Sequence, residues 1–286
     1  MGRKNYFEKL EKEIDLQKEY KKIESLVLQP VVFGRVSIEG DIERYFKNWK
    51  YKANYLSFYE IREQLGFRYG FEGMIPELYG SIDNINDFFD YCEMIVNMIY
   101  IIPEGKRLSH EENINEIKRL VNYDLNSLNH EIRKVDDKYL IIQKDAAVSE
   151  VVDIVEDSLA KIILEYNHYL LKGDLERKKA ILLKIVHVLE SKMQEIKKIN
   201  YQLHSDYSYL INNFNIRHNN CDISNTKNYN EVFVKMSDQE KEEWYDEIYQ
   251  MGLLIFLLLE NKGRSTKIAN IKNIKNNGLT DTLVTC

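Results

Sequence analysis

The pattern of apolar and polar positions along this chain is that of a helical protein, and it is clearest in the second half. Apolar residues recur every three or four positions across residues 148–171, 174–196 and 200–216. Gly173 separates the first two segments, and Asp174 is a residue type that caps a following helix. The pattern therefore predicts three successive helices with short connections.

A fourth apolar segment follows a polar loop at residues 219–230. It begins with Ser237 and Glu240, whose spacing is typical of a capping box, and we expect its helix to end near Gly263. Four helices connected in this way indicate an up-down four-helix bundle over residues 145–262.

The first half of the chain predicts a smaller helical domain at residues 1–140, of unknown role. Residues 67–80 are aromatic and interrupted by glycine, and we expect them to be the least regular part of the chain. The apolar run at residues 139–142 suits a strand or an extended crossing. Residues 264–286 are polar, and we expect them to form a flexible tail. Helical spacing or a capping box favours four helices, at residues 4–28, 41–52, 57–66 and 83–100. A further capping box predicts another helix that begins at Ser109.

Composition and charge favour a helical cytoplasmic protein over a generally basic or membrane-spanning one. None of the three prolines lies beyond Pro103, and this favours a helical second half because proline breaks helices. The net charge of −6 excludes a chain that is basic throughout, so any contact with RNA must be local. Three widely spaced cysteines suit a reducing cytosol, and the chain has neither a signal-like apolar segment nor an apolar run long enough to span a bilayer. We therefore expect a cytoplasmic protein without a membrane partner.

One stretch stands out as a candidate chemical site because it places one arginine, one histidine and five asparagines within nine residues. Such side chains are costly to bury and are suited to recognising phosphate or amide groups. The stretch is Asn212-Asn213-Phe214-Asn215-Ile216-Arg217-His218-Asn219-Asn220. Glu165 and His168 have the spacing of a bundle metal ligand pair, but no second pair matches them, so we expect neither a metal nor another cofactor.

Residues 145–262 resemble the HEPN superfamily, and more narrowly the HEPN domains of bacterial abortive-infection phage-defence proteins of the AbiJ type. The resemblance is carried by Glu165-Tyr166-Asn167-His168, Leu171-Lys172-Gly173-Asp174, the stretch Asn212 to Asn220, and Trp244-Tyr245-Asp246. It implies a HEPN-like bundle and a metal-independent endoribonuclease. The motif of such enzymes is an arginine, a polar residue, and a histidine four to six positions after the arginine.

In this resemblance Arg217 takes the place of the motif arginine and His218 fills the polar position. The resemblance implies that histidine transfers protons at the RNA 2′-hydroxyl and the leaving oxygen, while arginine stabilises charge on the phosphate. The positions expected for the histidine hold Cys221, Asp222 and Ile223. Adjacent helical residues point in different directions, so Arg217 and His218 can address one phosphate only if the helix ends near Arg217. If the helix ends there, we predict that Arg217 and His218 form the catalytic pair.

Other polar side chains are expected to bind the substrate or to orient the pair: Asn213, Asn219, Asn220, Glu165 and His168. The alternative is structural. In that case the asparagine amides satisfy carbonyl groups at a helix end, and Arg217 pairs with a carboxylate such as Glu165 or Glu190. The chain would then be a non-catalytic helical module that binds a partner protein, a ligand or RNA.

The resemblance implies an RNA-directed effector of phage defence, or a toxin, that acts on single-stranded RNA or tRNA. It also implies a homodimer that forms through the helical bundle. Residues 253–259 are more apolar on all sides than a four-helix core requires, so one face of that helix is a predicted dimer interface. A partner such as an antitoxin cannot be identified from the residues.

Overall fold

The computed structural model describes residues 14–29, 36–67, 69–72, 75–78 and 82–282, and this part of the chain is mostly helical, as the sequence predicts. The strands within it form two antiparallel hairpins. No helix in these residues combines the length and hydropathy that a membrane crossing requires. The chain divides into two compact units, Met1–Lys144 and Asp145–Cys286.

The first unit combines helices with both hairpins. Its elements are α1 (Leu16–Leu28), α2 (Ile38–Phe46), α3 (Phe58–Gln64), β1 (Tyr69–Glu72), β2 (Ile75–Leu78), α4 (Ile85–Ile99), α5 (Glu104–Arg107), α6 (Glu111–Ser127), β3 (His130–Val135) and β4 (Lys138–Gln143).

Helix α4 is the centre of the first unit because it is apolar on most of its surface. It contacts α1, α2, α6 and β4, and it buries residues such as Phe88 and Ile95 completely. Its start is fixed by a capping box in which Asn84 accepts a bond from the Asp87 N–H and Asp87 accepts one from the Asn84 N–H.

A buried ion pair connects three helices of this unit. The Arg62 guanidinium on α3 pairs with the Glu24 carboxylate on α1, and both side chains are inaccessible to solvent. The Tyr91 hydroxyl on α4 donates to the same carboxylate at 2.6 Å, and Arg62 Nε donates to the Phe67 carbonyl at 3.2 Å. Loss of either charge would leave the other buried without compensation, which is strongly destabilising.

The structure corrects three predictions for the first unit. The helix predicted at residues 41–52 begins earlier and ends earlier, at Ile38–Phe46. Ser109 does not cap a helix: its hydroxyl donates to the Lys106 carbonyl, and α6 begins at Glu111 without a side-chain cap. Residues 67–80, predicted to be irregular, contain the β1–β2 hairpin. The apolar run at residues 139–142 lies in β4, but its partner β3 has no apolar alternation that would predict a strand. Residues 4–13 of the predicted first helix lie outside the described residues.

The second unit is helical throughout its regular elements. They are α7 (Ala146–Val152), α8 (Asp157–Tyr166), a short 3₁₀ turn (Tyr169–Leu171), α9 (Leu175–Glu190), α10 (Met193–Ile199), α11 (Tyr201–Asn213), α12 (Glu231–Lys235) and α13 (Asp238–Thr282).

Helices α8, α9 and α13 are joined by a buried lysine and two aromatic rings. The Lys178 ammonium on α9 lies 2.8 Å from the Glu242 carboxylate and 2.6 Å from the Asp246 carboxylate, both on α13. Asp246 also accepts a bond from the Tyr166 hydroxyl on α8 at 2.8 Å, and the Tyr166 ring stacks on Tyr249. The polar contacts satisfy a charge that would otherwise be costly to bury.

Three helix boundaries predicted for the second unit are wrong. The segment 148–171 is interrupted between α7 and α8, and 174–196 is interrupted between α9 and α10. Helix α13 does not end near Gly263 but continues to Thr282. A single glycine costs a helix only about 1 kcal/mol and does not stop it as proline does. The flexibility of the tail stays a prediction, and residues 283–286 lie outside the described residues.

Asp124 on α6 makes the stability of the first unit dependent on pH. Its side chain is 1% exposed, and burial, followed by the negative charge of Glu19, raises its pKa from 3.8 to about 7. The folded-state pKa lies above the unfolded value, so the stabilising contribution is complete below the unfolded pKa and is lost as the pH rises through the folded pKa.

We predict that the free energy of unfolding falls by about 1–3 kcal/mol more in the wild type than in Asp124→Asn between about pH 5 and about pH 8. Urea unfolding, followed by Trp49 fluorescence in a Trp244→Phe background, measures this difference because Trp49 lies in the first unit. Equal pH slopes in the two proteins would contradict the prediction.

Candidate functional site

Helix α11 ends in a tight turn that places Arg217, and Asn215 is the residue that ends it. The Phe214 N–H still donates to the Leu210 carbonyl at 2.9 Å, but Asn215 has a φ of 60°. Asparagine adopts this left-handed conformation more readily than most residues. The chain reverses there, and the Arg217 N–H donates back to the Ile211 carbonyl at 3.0 Å. Arg217 therefore lies beyond the helix end.

The side chain of Asn220 holds this turn closed. It is 1% exposed, and its Oδ1 accepts a bond from the Asn215 N–H at 2.7 Å. Its Nδ2 donates to the Asn212 carbonyl at 3.0 Å and to the Asn228 carbonyl, while its own carbonyl accepts from the Asn230 N–H. The Asn212 carbonyl is one of those that an α-helix leaves unpaired at its C-terminal end. The structure therefore places Asn220 inside the turn as a backbone clamp.

The other two candidate asparagines also bond to nearby backbone. Asn213 Nδ2 donates to the Tyr209 carbonyl at 2.8 Å, and the Asn213 carbonyl accepts from Asn230 Nδ2 at 3.0 Å. Asn219 is exposed, and its Oδ1 accepts from the Cys221 N–H at 3.2 Å. The asparagines of this stretch thus shape the loop that carries Arg217.

Arg217 forms an ion pair at the protein surface. Its Nη2 lies 2.7 Å from Oε1 of Glu190, the last residue of α9, and the two side chains are 38% and 41% exposed. Pairs with this exposure contribute at most about 1 kcal/mol to stability. The guanidinium is therefore held in position but stays accessible to an anion.

The Arg217–Glu190 pair borders a cleft of about 380 Å³. The cleft is lined by one imidazole, one hydroxymethyl group, one phenol ring and apolar side chains in addition to the ion pair: Val186, Glu190, Met193, His204, Tyr207, Ser208, Ile211 and Arg217. It combines a cation and a group that can transfer protons. These are two requirements for chemistry at a phosphodiester.

Of the seven site residues predicted from sequence, only Arg217 lines this cleft. His218 is exposed on the turn and is not part of the lining. Glu165 pairs with Arg177 at 3.0 Å rather than with Arg217. His168 is buried, and its ring contacts Tyr169. The structure therefore does not bring Glu165 or His168 to the arginine.

Cys221, which stands where the motif expects a histidine, belongs to another part of the surface. It lines a separate cavity of about 660 Å³ together with Lys172, Lys241 and Tyr245 among others. Its thiol is exposed. Cys221 therefore does not supply the missing proton-transfer group beside Arg217.

The sequence did not assign His204 to the site, because its spacing from His218 alone does not show that the two residues approach each other, but a second signal was present. His204, Tyr207, Ser208 and Ile211 have spacings of three, four and seven residues, which place them on one face of α11. The turn that carries Arg217 follows the C-terminal end of that face. The motif predicts a histidine after the arginine, whereas the histidine that lines the cleft lies thirteen residues before it.

Within the described part of the chain, no group of three or more histidine, cysteine, aspartate or glutamate side chains could hold a metal ion. No protein-family model, curated protein or solved structure matches the chain.

We predict that Asn220→Ala lowers the free energy of unfolding of the second unit by about 2–4 kcal/mol, because three part-buried backbone groups lose their hydrogen-bond partner. Asn219→Ala is the matched control, since this neighbour is exposed and should cost less than about 1 kcal/mol. Chemical denaturation followed by Trp244 fluorescence in a Trp49→Phe background measures both. Equal effects of the two substitutions would show that Asn220 is not the clamp.

Proposed function

We propose that this protein is an RNA-directed effector whose second unit binds RNA at the Arg217 cleft and cleaves it without a metal ion. The observation that carries the proposal is that Arg217 and His204 line the same cleft. A histidine can transfer a proton and an arginine can stabilise charge on a phosphate, and cleavage of a phosphodiester that has an adjacent 2′-hydroxyl uses both functions.

In the proposed reaction His204 accepts the proton of the 2′-hydroxyl, and the 2′-oxygen attacks the adjacent phosphorus. The bond from phosphorus to the 5′-oxygen breaks, that oxygen takes a proton from a solvent water molecule, and His204 then returns the proton it accepted to the resulting hydroxide. The products are a 2′,3′-cyclic phosphate and a 5′-hydroxyl end. Arg217 stabilises the negative charge that accumulates on the non-bridging oxygens. Glu190 acts as a positioning residue that holds the guanidinium at the cleft before RNA binds.

The size and charge of the site favour single-stranded RNA or an unpaired loop such as those of tRNA. A cleft of about 380 Å³ holds one nucleotide rather than a duplex. The chain has a net charge of −6, so affinity must come from this local site more than from a general attraction to phosphate.

The biological setting follows from the resemblance to HEPN domains. We propose a HEPN-like bundle at residues 145–262 that acts in the cytoplasm as a phage-defence effector or toxin, and that functions as a homodimer. The residues that support this setting are the Arg217 stretch and the segments around Glu165, Lys172 and Trp244.

A second candidate function is a non-catalytic module that binds a partner protein, a ligand or RNA. The 2.7 Å Arg217–Glu190 pair and the backbone bonds of Asn220 favour it, because both can be explained by the closure of the turn alone. In this function Arg217 is a structural residue. In that case, replacement of Arg217 should change the free energy of unfolding, and the protein should have no RNA cleavage activity to lose.

Incubation of the purified protein with a single-stranded RNA panel in EDTA tests the proposal. We predict cleavage with 2′,3′-cyclic phosphate ends and no cleavage at a position with a 2′-deoxy sugar. His204→Gln and Arg217→Gln should each lower the rate more than about 100-fold. His218→Gln should change the rate less than about threefold, because His218 does not line the cleft.

Melting temperature and helical circular dichroism of each variant separate a catalytic defect from a folding defect. A larger loss in His218→Gln than in His204→Gln would overturn the assignment of His204. Intact RNA across the panel, together with a lower melting temperature in Arg217→Gln, would favour the non-catalytic module.

A further inference from the structure

The last third of helix α13 extends beyond the core of the second unit. Every residue from 261 to 273 is exposed, including Ile268 at 52% and Ile271 at 66%. A single helix of this length, interrupted by Gly263 and rich in asparagine, has marginal stability in water. Its first turn is tied to the unit by the Lys262 ammonium, which lies 2.6 Å from the Glu195 carboxylate. The exposed apolar side chains Ile268 and Ile271 lie beyond that contact.

Charge is separated along α13 into an acidic start, a neutral centre and a basic end. Residues 238–247 carry six acidic side chains and one lysine, and residues 248–259 carry no charged side chain. Glu260 follows and pairs with Arg264 at 3.1 Å. From position 261 to position 275 every charged side chain is basic: Lys262, Arg264, Lys267, Lys272 and Lys275. This order is far from the mixed charge of an ordinary solvated helix face.

The helix macrodipole does not explain this separation. It favours acids in the first turn and bases in the last turn, and its effect disappears within one turn of each end. Glu247 lies nine residues after Asp238, and Lys262 lies twenty residues before Thr282. Most of the charged residues thus lie too far from the ends for the dipole to select them.

The outward face of α13 has the spacing of a helix-pairing surface. Glu247, Leu254, Asn261 and Ile268 recur every seven residues and are exposed. A second row with the same period lies beside them: Trp244, Met251, Leu258, Ser265 and Lys272. Two such rows on one side of a helix are the pattern by which helices pack along their length. Leu254 is 46% exposed although it lies in the most apolar part of the helix.

We propose that this face is covered by the same face of a second copy, with the two α13 helices antiparallel about an axis between Leu254 and Leu258. Glu240 lies sixteen residues before position 256, and Lys272 lies sixteen residues after it. The acidic start of each helix therefore lies against the basic end of the other. Leu254 and Leu258 of both copies meet at the centre, and Trp244 lies opposite Ile268.

Other occupants fit the charge pattern less well. A parallel pair would place the acidic starts together and the basic ends together, which is unfavourable. An RNA strand would neutralise the basic end but would leave Leu254 and Ile268 exposed and would be repelled by the acidic start. The antiparallel self-pair is the arrangement that satisfies both the charges and the apolar centre.

This inference rests on the homodimer in the proposed function but not on RNA cleavage. Its test is therefore an assembly measurement, sedimentation equilibrium of the full chain without RNA. The wild type should sediment with twice the chain mass. Glu243→Lys/Glu247→Lys and Lys267→Glu/Lys272→Glu should each raise the dimer dissociation constant at least tenfold, and the four substitutions together should restore it to within threefold of wild type.

Glu150→Lys/Glu231→Lys is the matched control, because both residues are exposed in the second unit and their replacement makes the same change in net charge. It should not alter the dissociation constant. The Lys267→Glu/Lys272→Glu variant keeps the test valid if the acidic-side variant fails to fold, since both lysines lie on the exposed extension.

A monomeric wild type, or a dimer that neither charge reversal weakens, would overturn the proposal. So would a variant with all four substitutions that stays as weak as either double variant. A monomer whose RNA affinity falls in Lys267→Glu/Lys272→Glu would instead identify the extension as an RNA-binding surface. Loss of RNA cleavage activity alone would bear on the proposed function and not on this interface.

Discussion

The candidate site depends on one constraint, which is that the carbonyl groups at the C-terminal end of α11 need hydrogen-bond donors. The buried side chain of Asn220 meets part of that need by donating to the Asn212 carbonyl, and its amide oxygen accepts from the Asn215 N–H beyond the helix end. The left-handed φ of Asn215 makes this closure possible. Arg217 then emerges from a fixed turn at the edge of the cleft and beside Glu190.

The structure places a different histidine beside the cleft than the one that the sequence motif suggested. In the sequence, the conspicuous histidine is His218, adjacent to Arg217. In the structure the turn leaves His218 exposed, while the preceding helix brings His204 to the cleft that Arg217 lines. In the proposed function, the proton-transfer role therefore falls to His204, a half-buried residue of α11 that lines the cleft.

The sequence predicted the elements that local pattern controls. The helical class, the helix start capped by Asp174, and the capping box at Ser237 all depend on neighbouring residues and agree with the structure. The breaks within the predicted helices 148–171 and 174–196 and the continuation past Gly263 were missed, because periodicity does not register where a helix must bend to pack or where an exposed helix continues. His204 was missed because its importance is a matter of three-dimensional placement.

We propose that His204 and Arg217, rather than His218, form the cleft that binds phosphate. Nitrogen-15 NMR of the histidine imidazoles during titration with a non-cleavable 2′-deoxy dinucleotide tests it most directly. We predict saturable shifts of the His204 resonances that disappear in Arg217→Gln, with the His218 resonances unchanged. Shifts confined to His218, or shifts of His204 that persist in Arg217→Gln, would contradict the account.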